Sequence, residues 1–155
     1  MRLIMRIFSL CFALILFCAP LLVSAAEITE KTDNVIKFDD GSYITITIQE
    51  SVSRASYVKT GSKTYTYRDY DGNLQWEAVL SCSFLYDGTT SSCTGGICQV
   101  TVYDDDWYEY SNSTSRSGAT ATTELTMGLK GIFGITVQKY NCTITLTCDK
   151  NGNLS

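Results

Sequence analysis

From residue 27 onward the chain alternates apolar and polar residues with a period of two, and this pattern is the strongest constraint on its fold. In the segment 43–49 the isoleucines Ile44, Ile46 and Ile48 share one parity, and threonines lie between them. Successive side chains of a strand point to opposite faces, so the alternation predicts strands that each bury one face. No stretch after Pro20 has a sustained helical period. The sequence therefore predicts an all-β protein.

Turns rich in Asp and Gly divide this region into strands. Asp71-Gly72 and Asp87-Gly88 are the strongest of these signals, because Asp-Gly readily adopts the positive φ values of tight hairpin turns. A two-residue loop at Asp87-Gly88 would place Cys82 opposite Cys93. Residues 51–62 are predicted to be an irregular connection. The predicted strands are 35–38, 43–49, 63–70, 74–86, 99–104, 107–116, 119–129 and 135–148.

The number and spacing of these strands predict the architecture. About eight strands joined by short turns are typical of a two-sheet sandwich, in which every strand buries its one apolar face. We therefore expect an antiparallel, immunoglobulin-like β-sandwich. A small β-barrel is the alternative, because the number of strands does not separate the two folds.

The amino terminus has the layout of a secretory signal peptide. Two arginines precede an apolar run over residues 7–23, and Ser24-Ala25-Ala26 follows it. Basic residues, an apolar core and a small-residue cleavage site are the three parts of such a signal. We expect residues 1–26 to be removed, which leaves residues 27–155 as a single secreted domain. An uncleaved anchor is the alternative, because the run is nearly long enough to span a bilayer.

The charge of the domain excludes several classes of partner. The whole chain has 12 basic and 16 acidic residues and a net charge of −4. Loss of the two signal arginines makes the domain more negative still. An acidic protein without a basic cluster binds nucleic acid and anionic membranes poorly. We therefore expect an extracellular protein or glycan as partner, no nucleic acid, and no stable membrane anchor after signal cleavage.

The sequence contains no histidine, which removes the usual general base and the Ser-His and Cys-His catalytic pairs. We therefore expect a non-enzymatic protein without a cofactor. Two carboxylates could still serve a small secreted hydrolase, and several could bind calcium through hard oxygen ligands. A solvated acidic turn is the simpler interpretation. The dense acidic group in question is Asp104, Asp105, Asp106 and Glu109.

Aromatic and apolar residues supply the candidate binding surfaces. Trp107, Tyr108 and Tyr110 form one candidate, because flat aromatic side chains bind sugars and proteins at low entropic cost. Packing within a sheet is the alternative for each of them. The segment 128–135 is apolar and glycine-rich and is predicted to be a hairpin tip. We expect this tip to fold back as a curved hairpin with glycine at a bulge. An exposed tip that inserts into a membrane or a partner is the alternative.

Several turn and strand motifs occur together in this domain. They are Phe38-Asp39-Asp40-Gly41-Ser42-Tyr43, Lys59-Thr60-Gly61-Ser62-Lys63-Thr64, Tyr70-Asp71-Gly72-Asn73, Ser92-Cys93-Thr94 and the closing stretch from Leu146 to Ser155. Together they resemble a group of short secreted proteins of gut Gram-positive bacteria for which no activity is known. The resemblance covers nearly all of the domain and implies a bacterial exported protein.

Five cysteines remain after signal cleavage, namely Cys82, Cys93, Cys98, Cys142 and Cys148. In an exported protein they indicate disulfides, with one thiol left over. Zinc is disfavoured by the wide spacing and the lack of histidine. The predicted hairpin brings Cys82 close to Cys93. The resemblance instead implies a disulfide between Cys93 and Cys148, and this pairing is our prediction.

These features rank three functions. The leading one is an exported, non-enzymatic module that binds a protein or glycan surface. The alternatives are a small secreted hydrolase that uses the acidic group, and a membrane-active protein that works through the segment 128–135.

Overall fold

The computed structural model describes residues 27–52 and 57–155, so the predicted signal peptide lies outside the described residues. No side chain is described at residues 27–29, 32, 33 and 52. Strands make up most of the described chain, which confirms the all-β prediction. The elements are β1 (Glu27–Lys37), β2 (Tyr43–Val52), β3 (Val58–Arg68), β4 (Leu74–Tyr86), β5 (Ser91–Val102), β6 (Trp107–Ser117), β7 (Thr120–Lys130), a 3₁₀ turn (Ile132–Gly134) and β8 (Thr136–Thr147).

The strands form two antiparallel sheets that pack face to face. One sheet contains β1 to β5 and the other contains β6 to β8, each in chain order. The predicted two-sheet sandwich is therefore confirmed. Its immunoglobulin-like character is not confirmed, because immunoglobulin domains use Greek-key connections, whereas both sheets here are meanders joined through the β5–β6 turn.

The core lies between the inner faces of the two sheets, on the residues that the alternation singled out. Ile44, Ile46 and Ile48 of β2 are buried, as are five residues of one parity on β4. The three-stranded sheet contributes buried residues from β7 and β8 to the other side. Because the parity of side chains in a strand is strict, these inner faces follow directly from the sequence. The buried core residues of β4, β7 and β8 are Trp76, Ala78, Leu80, Cys82, Phe84, Ala121, Leu125, Met127, Ile144 and Leu146, and Cys148 follows directly after β8.

An aromatic cluster closes one end of the core. The Tyr67 ring stacks on Trp76 with centroids 5.2 Å apart, and it meets Trp107 edge-on at 5.2 Å. Trp107 also contacts Tyr140 at 5.3 Å, and Phe38 lies against Tyr67 and Tyr140. Aromatic pairs at such separations stabilise a core beyond the area that they bury. Rings from both sheets therefore fasten the sandwich at this end.

Three strands begin earlier than the sequence predicted. β1 starts at Glu27 and β3 at Val58, where a connection was expected, and β5 starts at Ser91. These added stretches are rich in Thr, Ser, Gly and Lys, so they show no apolar alternation. They are strands because backbone hydrogen bonds with a neighbouring strand continue whatever the side chains are. The prediction was wrong where pairing alone extends a strand.

The turn after β4 is longer than predicted, and it shifts the register of β5. The amide of Asp87 donates to the carbonyl of Thr90, 3.1 Å away, and Tyr86 pairs with Ser91. Asp87 Oδ1 also accepts from the amide of Thr90 at 2.6 Å. The loop therefore has four residues instead of two, and Cys93 lies opposite Phe84. The predicted pairing of Cys82 directly opposite Cys93 was wrong.

The carboxyl-terminal tail docks at the opposite end from the aromatic cluster. The residues 149–153 form a turn in which Asp149 Oδ1 accepts from the amides of Asn151 and Asn153, each at 2.8 Å. The residues 69–73 form the same turn with matching hydrogen bonds. Beyond the second turn, Leu154 packs against Gly61, and its amide donates to Glu50 Oε1 at 3.3 Å. The tail thus covers the edge of the core beside β2 and β3.

Candidate interaction site

The β7–β8 hairpin ends in a group of apolar side chains that face solvent. We call Ile132, Phe133, Ile135 and Val137 the apolar tip. Their exposed fractions are 81%, 95%, 66% and 63%. Isolated exposed apolar residues are common on protein surfaces, but a contiguous group of large ones marks an interaction site. The sequence predicted a hairpin tip here and favoured one that folds back as a curved hairpin, but the structure shows that its apolar side chains are exposed.

The backbone of the tip explains why these side chains project outward. The amide of Gly131 donates to the carbonyl of Ile135 at 2.8 Å, and the amide of Gly134 donates to Gly131 at 3.0 Å. Phe133 has φ 68°, a left-handed conformation that is unfavourable for a residue with a side chain. Val137 packs against the space where Gly131 lacks a Cβ. The tight turn thus holds Phe133 in a strained conformation with its side chain exposed. Strained residues of this kind are concentrated at functional sites.

The acidic turn between β5 and β6 supports the base of this hairpin. The amide of Lys130 donates to the carbonyl of Asp106 at 2.7 Å, and Lys130 Nζ donates to the carbonyl of Asp105 at 2.8 Å. Asp104 Oδ1 accepts from the amide of Asp106 at 2.9 Å. Glu109 Oε2 accepts instead from the side-chain amide of Asn112, 3.4 Å away. The groups of residues 104–106 shape the turn before β6 and hold the base of the hairpin to it.

The described residues contain no cluster of acidic side chains that matches the calcium site predicted at residues 104–106 and Glu109. Within residues 27–52 and 57–155, no three Cys, Asp or Glu side chains are placed to hold one metal ion. Calcium binding requires several oxygen ligands that converge on one point. The structure places residues 104–106 in the β5–β6 turn and Glu109 on β6.

The predicted aromatic surface is only partly a surface. Trp107 is 6% exposed and belongs to the aromatic cluster, and its Nε1 donates to Gln75 Oε1 at 3.1 Å. The prediction that Trp107 contributes to a binding surface was wrong, because as the first residue of β6 it points inward. Tyr108 covers Gly128, and its hydroxyl is hydrogen-bonded to Thr136. The inward orientation of Trp107 could not be predicted, because its hydrogen-bond partner Gln75 lies far away along the chain.

Tyr110 lies at the surface, but the side chain of Lys139 contacts one face of its ring. The Nζ of Lys139 lies 3.4 Å from the centroid of the Tyr110 ring, within the range of a cation–π contact. Lys139 also lowers the pKa of the Tyr110 phenol through a hydrogen bond and its positive charge. One face of the ring is therefore covered. The pair Tyr110 and Lys139 borders the apolar tip along the outer face of β8.

A hydroxyl-lined depression of about 340 Å³ lies elsewhere, on β2, β3 and β4 of the five-stranded sheet. Its one acidic residue, Glu50, forms an ion pair with Lys59, with 2.6 Å between Oε2 and Nζ. Acid–base hydrolysis of a glycoside requires two carboxyl groups across the substrate. This depression therefore does not support the hydrolase alternative. Its lining is Gln49, Glu50, Ser51, Thr60, Gly61, Ser62, Ser81, Cys82 and Ser83.

The five cysteines are all unpaired thiols in this structure. Cys82, Cys98 and Cys148 are buried, whereas Cys93 and Cys142 are half-buried. The bond between Cys93 and Cys148 is not formed and stays a prediction. Burial raises the pKa of Cys142 to about 12, so this thiol stays protonated and unreactive at neutral pH.

Comparison with known proteins gave no relative. No family model, curated protein or solved structure matches the chain. The helices in the described part of the chain include none that is long and apolar enough to cross a membrane.

Proposed function

We propose that this chain is an exported, non-enzymatic module that binds another protein through the apolar tip. The observation that carries the proposal is the exposure of four large apolar side chains on one hairpin. Leaving that area in water is unfavourable, by an amount proportional to the apolar area, and a partner that covers it recovers this free energy. The signal-peptide pattern of residues 1–26 supports export, since the tip would then meet partners outside the cell.

The chemistry of the tip favours a protein over a glycan. Sugars stack on flat aromatic faces, and the ring of Tyr108 is engaged with Gly128 while Tyr110 carries Lys139 on one face. Three of the four tip residues are branched aliphatic side chains, which fit an apolar pocket and offer no flat face. Buried apolar anchors at the centre of an interface carry most of its binding energy.

Charge indicates what should surround that pocket. The acidic turn 104–106 lies at the base of the tip, and its main chain binds Lys130. Opposite charges around an interface increase the association rate and select the partner. A complementary partner would present an apolar pocket with a basic rim, and its association rate would fall as salt is raised.

Site-specific photo-crosslinking tests this proposal. A photoreactive phenylalanine analogue replaces Phe133 in one sample and Tyr70 in a control sample, since Tyr70 is 74% exposed on a different loop. Both proteins are irradiated with the extracellular proteins and surface extract of the source culture. We expect a defined protein adduct from position 133 that unlabelled wild type competes away, and none from position 70. Equal adducts from both positions, or none from position 133, would contradict the proposal.

The exposed tip also favours a second candidate, contact with a lipid bilayer. A convex apolar hairpin can enter the interfacial region of a membrane without a complementary pocket. Sedimentation with phosphatidylcholine vesicles distinguishes the two functions. Co-sedimentation that is lost when Phe133 is changed to Ser would establish the membrane function and replace the protein-binding proposal.

A further inference from the structure

The outer edge of β8 already carries the first residues of another strand. The amide of Ser155 donates to the carbonyl of Thr147 at 3.0 Å, and the amide of Thr147 donates to Ser155 at 2.9 Å. Beside this pair, Cys148 and Leu154 form a β-bridge. The amide of Cys148 points the other way, to the carbonyl of Ala119 just before β7, at 3.0 Å. The tail therefore runs antiparallel to β8 along the edge that faces away from β7.

The alternation of the backbone shows which other groups of β8 face this edge. Of the described strands, only β7 pairs with β8, and successive residues of a strand turn their amide and carbonyl groups to opposite edges. Thr147 faces the tail, so Thr145, Thr143 and Asn141 face the same edge. The hydroxyl of Tyr65 agrees with this assignment, because it donates to the carbonyl oxygen of Thr143 at 3.5 Å. A carbonyl oxygen can accept a second hydrogen bond, so the edge can pair further.

The inner face of β1 projects beyond β8 on this side of the sandwich. β6 and β7 contact β5, and β8 contacts β3 and β4, so the outer edge of β8 points toward β1. Ile36 of β1 pairs with Ile44 of β2, and directly opposite residues share one face of a sheet. Ile44 is 5% exposed, whereas Ile36 is 44% exposed. The three-stranded sheet therefore covers β2 and leaves Asn34 and Ile36 uncovered, and we call these two residues the ledge.

The tail shows how the space beside β8 receives a side chain. Leu154 has the inner parity and packs against Gly61 of β3, and its amide donates to Glu50 Oε1 on β2 at 3.3 Å. A strand that continued the line of the tail would lie about 4.8 Å from β8, above the ledge. Every second side chain would cover Ile36 and its neighbours, and the others would face solvent beside the threonines of β8. The space therefore fits an extended segment that alternates apolar and hydroxyl residues.

We propose that the outer edge of β8 over residues 139–145 binds an extended segment of a partner protein, which adds antiparallel to β8 as a further strand of the sheet. Backbone hydrogen bonds give affinity in this mode of recognition, and alternate side chains give specificity. The site is separate from the apolar tip and does not depend on it. A second copy of this chain does not fit, because two β8 edges brought together would force both ledges into the same space.

A tethered strand tests this edge without a known partner. The extension Val-Thr-Val-Thr-Val-Lys is appended after Ser155, and a control protein carries Val-Pro-Val-Pro-Val-Lys. The prolines stand opposite Thr145 and Thr143 and remove the two amides that would donate to β8, while the valines above the ledge are kept. The tether gives the segment a high effective concentration, so weak affinity does not hide docking. Hydrogen exchange followed by NMR measures the amides of Thr143 and Thr145.

We expect these two amides to exchange at least about tenfold more slowly with the threonine extension than in the unextended chain or the proline control. A short tether corresponds to a millimolar concentration, so the separate peptide at several millimolar should protect the same amides of the unextended chain. Equal exchange in the two extended proteins, or no protection by the separate peptide, would overturn the inference. Protection that rises with the concentration of the unextended chain, together with a dimer mass, would overturn it in favour of a second copy.

Discussion

Replacing Trp107 by phenylalanine should destabilise the protein. The indole nitrogen donates to Gln75 Oε1 at 3.1 Å, and both side chains are buried. Phenylalanine keeps most of the ring contacts but leaves the Gln75 oxygen without this donor, and an unsatisfied buried polar group costs about 1–3 kcal/mol. The smaller ring also leaves a gap between the sheets, which adds to the cost. We expect the free energy of unfolding to fall by about 2–3 kcal/mol.

Urea denaturation followed by far-ultraviolet circular dichroism measures this change without relying on tryptophan fluorescence. Tyr110→Phe is the matched control, because Tyr110 lies at the surface, and it should leave the unfolding midpoint unchanged. The cost of Trp107→Phe should also be smaller in a Gln75→Leu background, since the acceptor is then gone. If Trp107→Phe left the midpoint unchanged and weakened partner binding instead, assignment of Trp107 to the core would be wrong.

Three further predictions concern the tail, the acidic turns and calcium. Gly61→Ala should lower the free energy of unfolding by about 1–3 kcal/mol. The added Cβ would meet Leu154 and lie 2.7 Å from the carbonyl oxygen of Gln49. Gly95→Ala is the control in the same urea titration and should cost much less, because the nearest atom to its added Cβ is 3.9 Å away. Hydrogen bonds from Asn153 lower the pKa of Asp149. The stabilisation by this carboxylate is therefore present above the ordinary aspartate pKa and is lost as pH falls through the lowered value. Urea unfolding midpoints measured from neutral to acidic pH should fall less in Asp149→Asn than in wild type. Millimolar calcium should leave the melting temperature unchanged relative to chelator, and a rise would restore the calcium site.

Much of the fold could be predicted from the sequence, because the alternation of apolar and polar residues determines most of the strands and their buried faces. β4 runs from Leu74 to Tyr86 as predicted, since its alternation is unbroken and both its ends carry Asp-Gly turns. The amino-terminal halves of β3 and β5 could not be predicted, because their side chains are polar or absent and only backbone pairing makes them strands. The chain order of both sheets could not be predicted either, since it depends on which strands meet in space.

The candidate site depended on information that the sequence does not contain. The sequence of residues 128–135 favoured a tip that folds back, and the exposure of its side chains is seen only in the structure. Trp107 and Tyr108 are adjacent in sequence and chemically alike, yet one is in the core and the other covers Gly128. The predicted strand 107–116 begins at the same residue as β6, but its mostly polar sequence does not show which parity faces the core.

The most direct test of the proposed function is the variant Phe133→Gly. Glycine adopts the left-handed conformation of residue 133 without strain, so the variant should unfold within about 1 kcal/mol of wild type. It should nevertheless fail to compete for the adduct formed at position 133, because the most exposed anchor of the tip is gone. Full competition by a stably folded Phe133→Gly protein would contradict the claim that the apolar tip binds the partner.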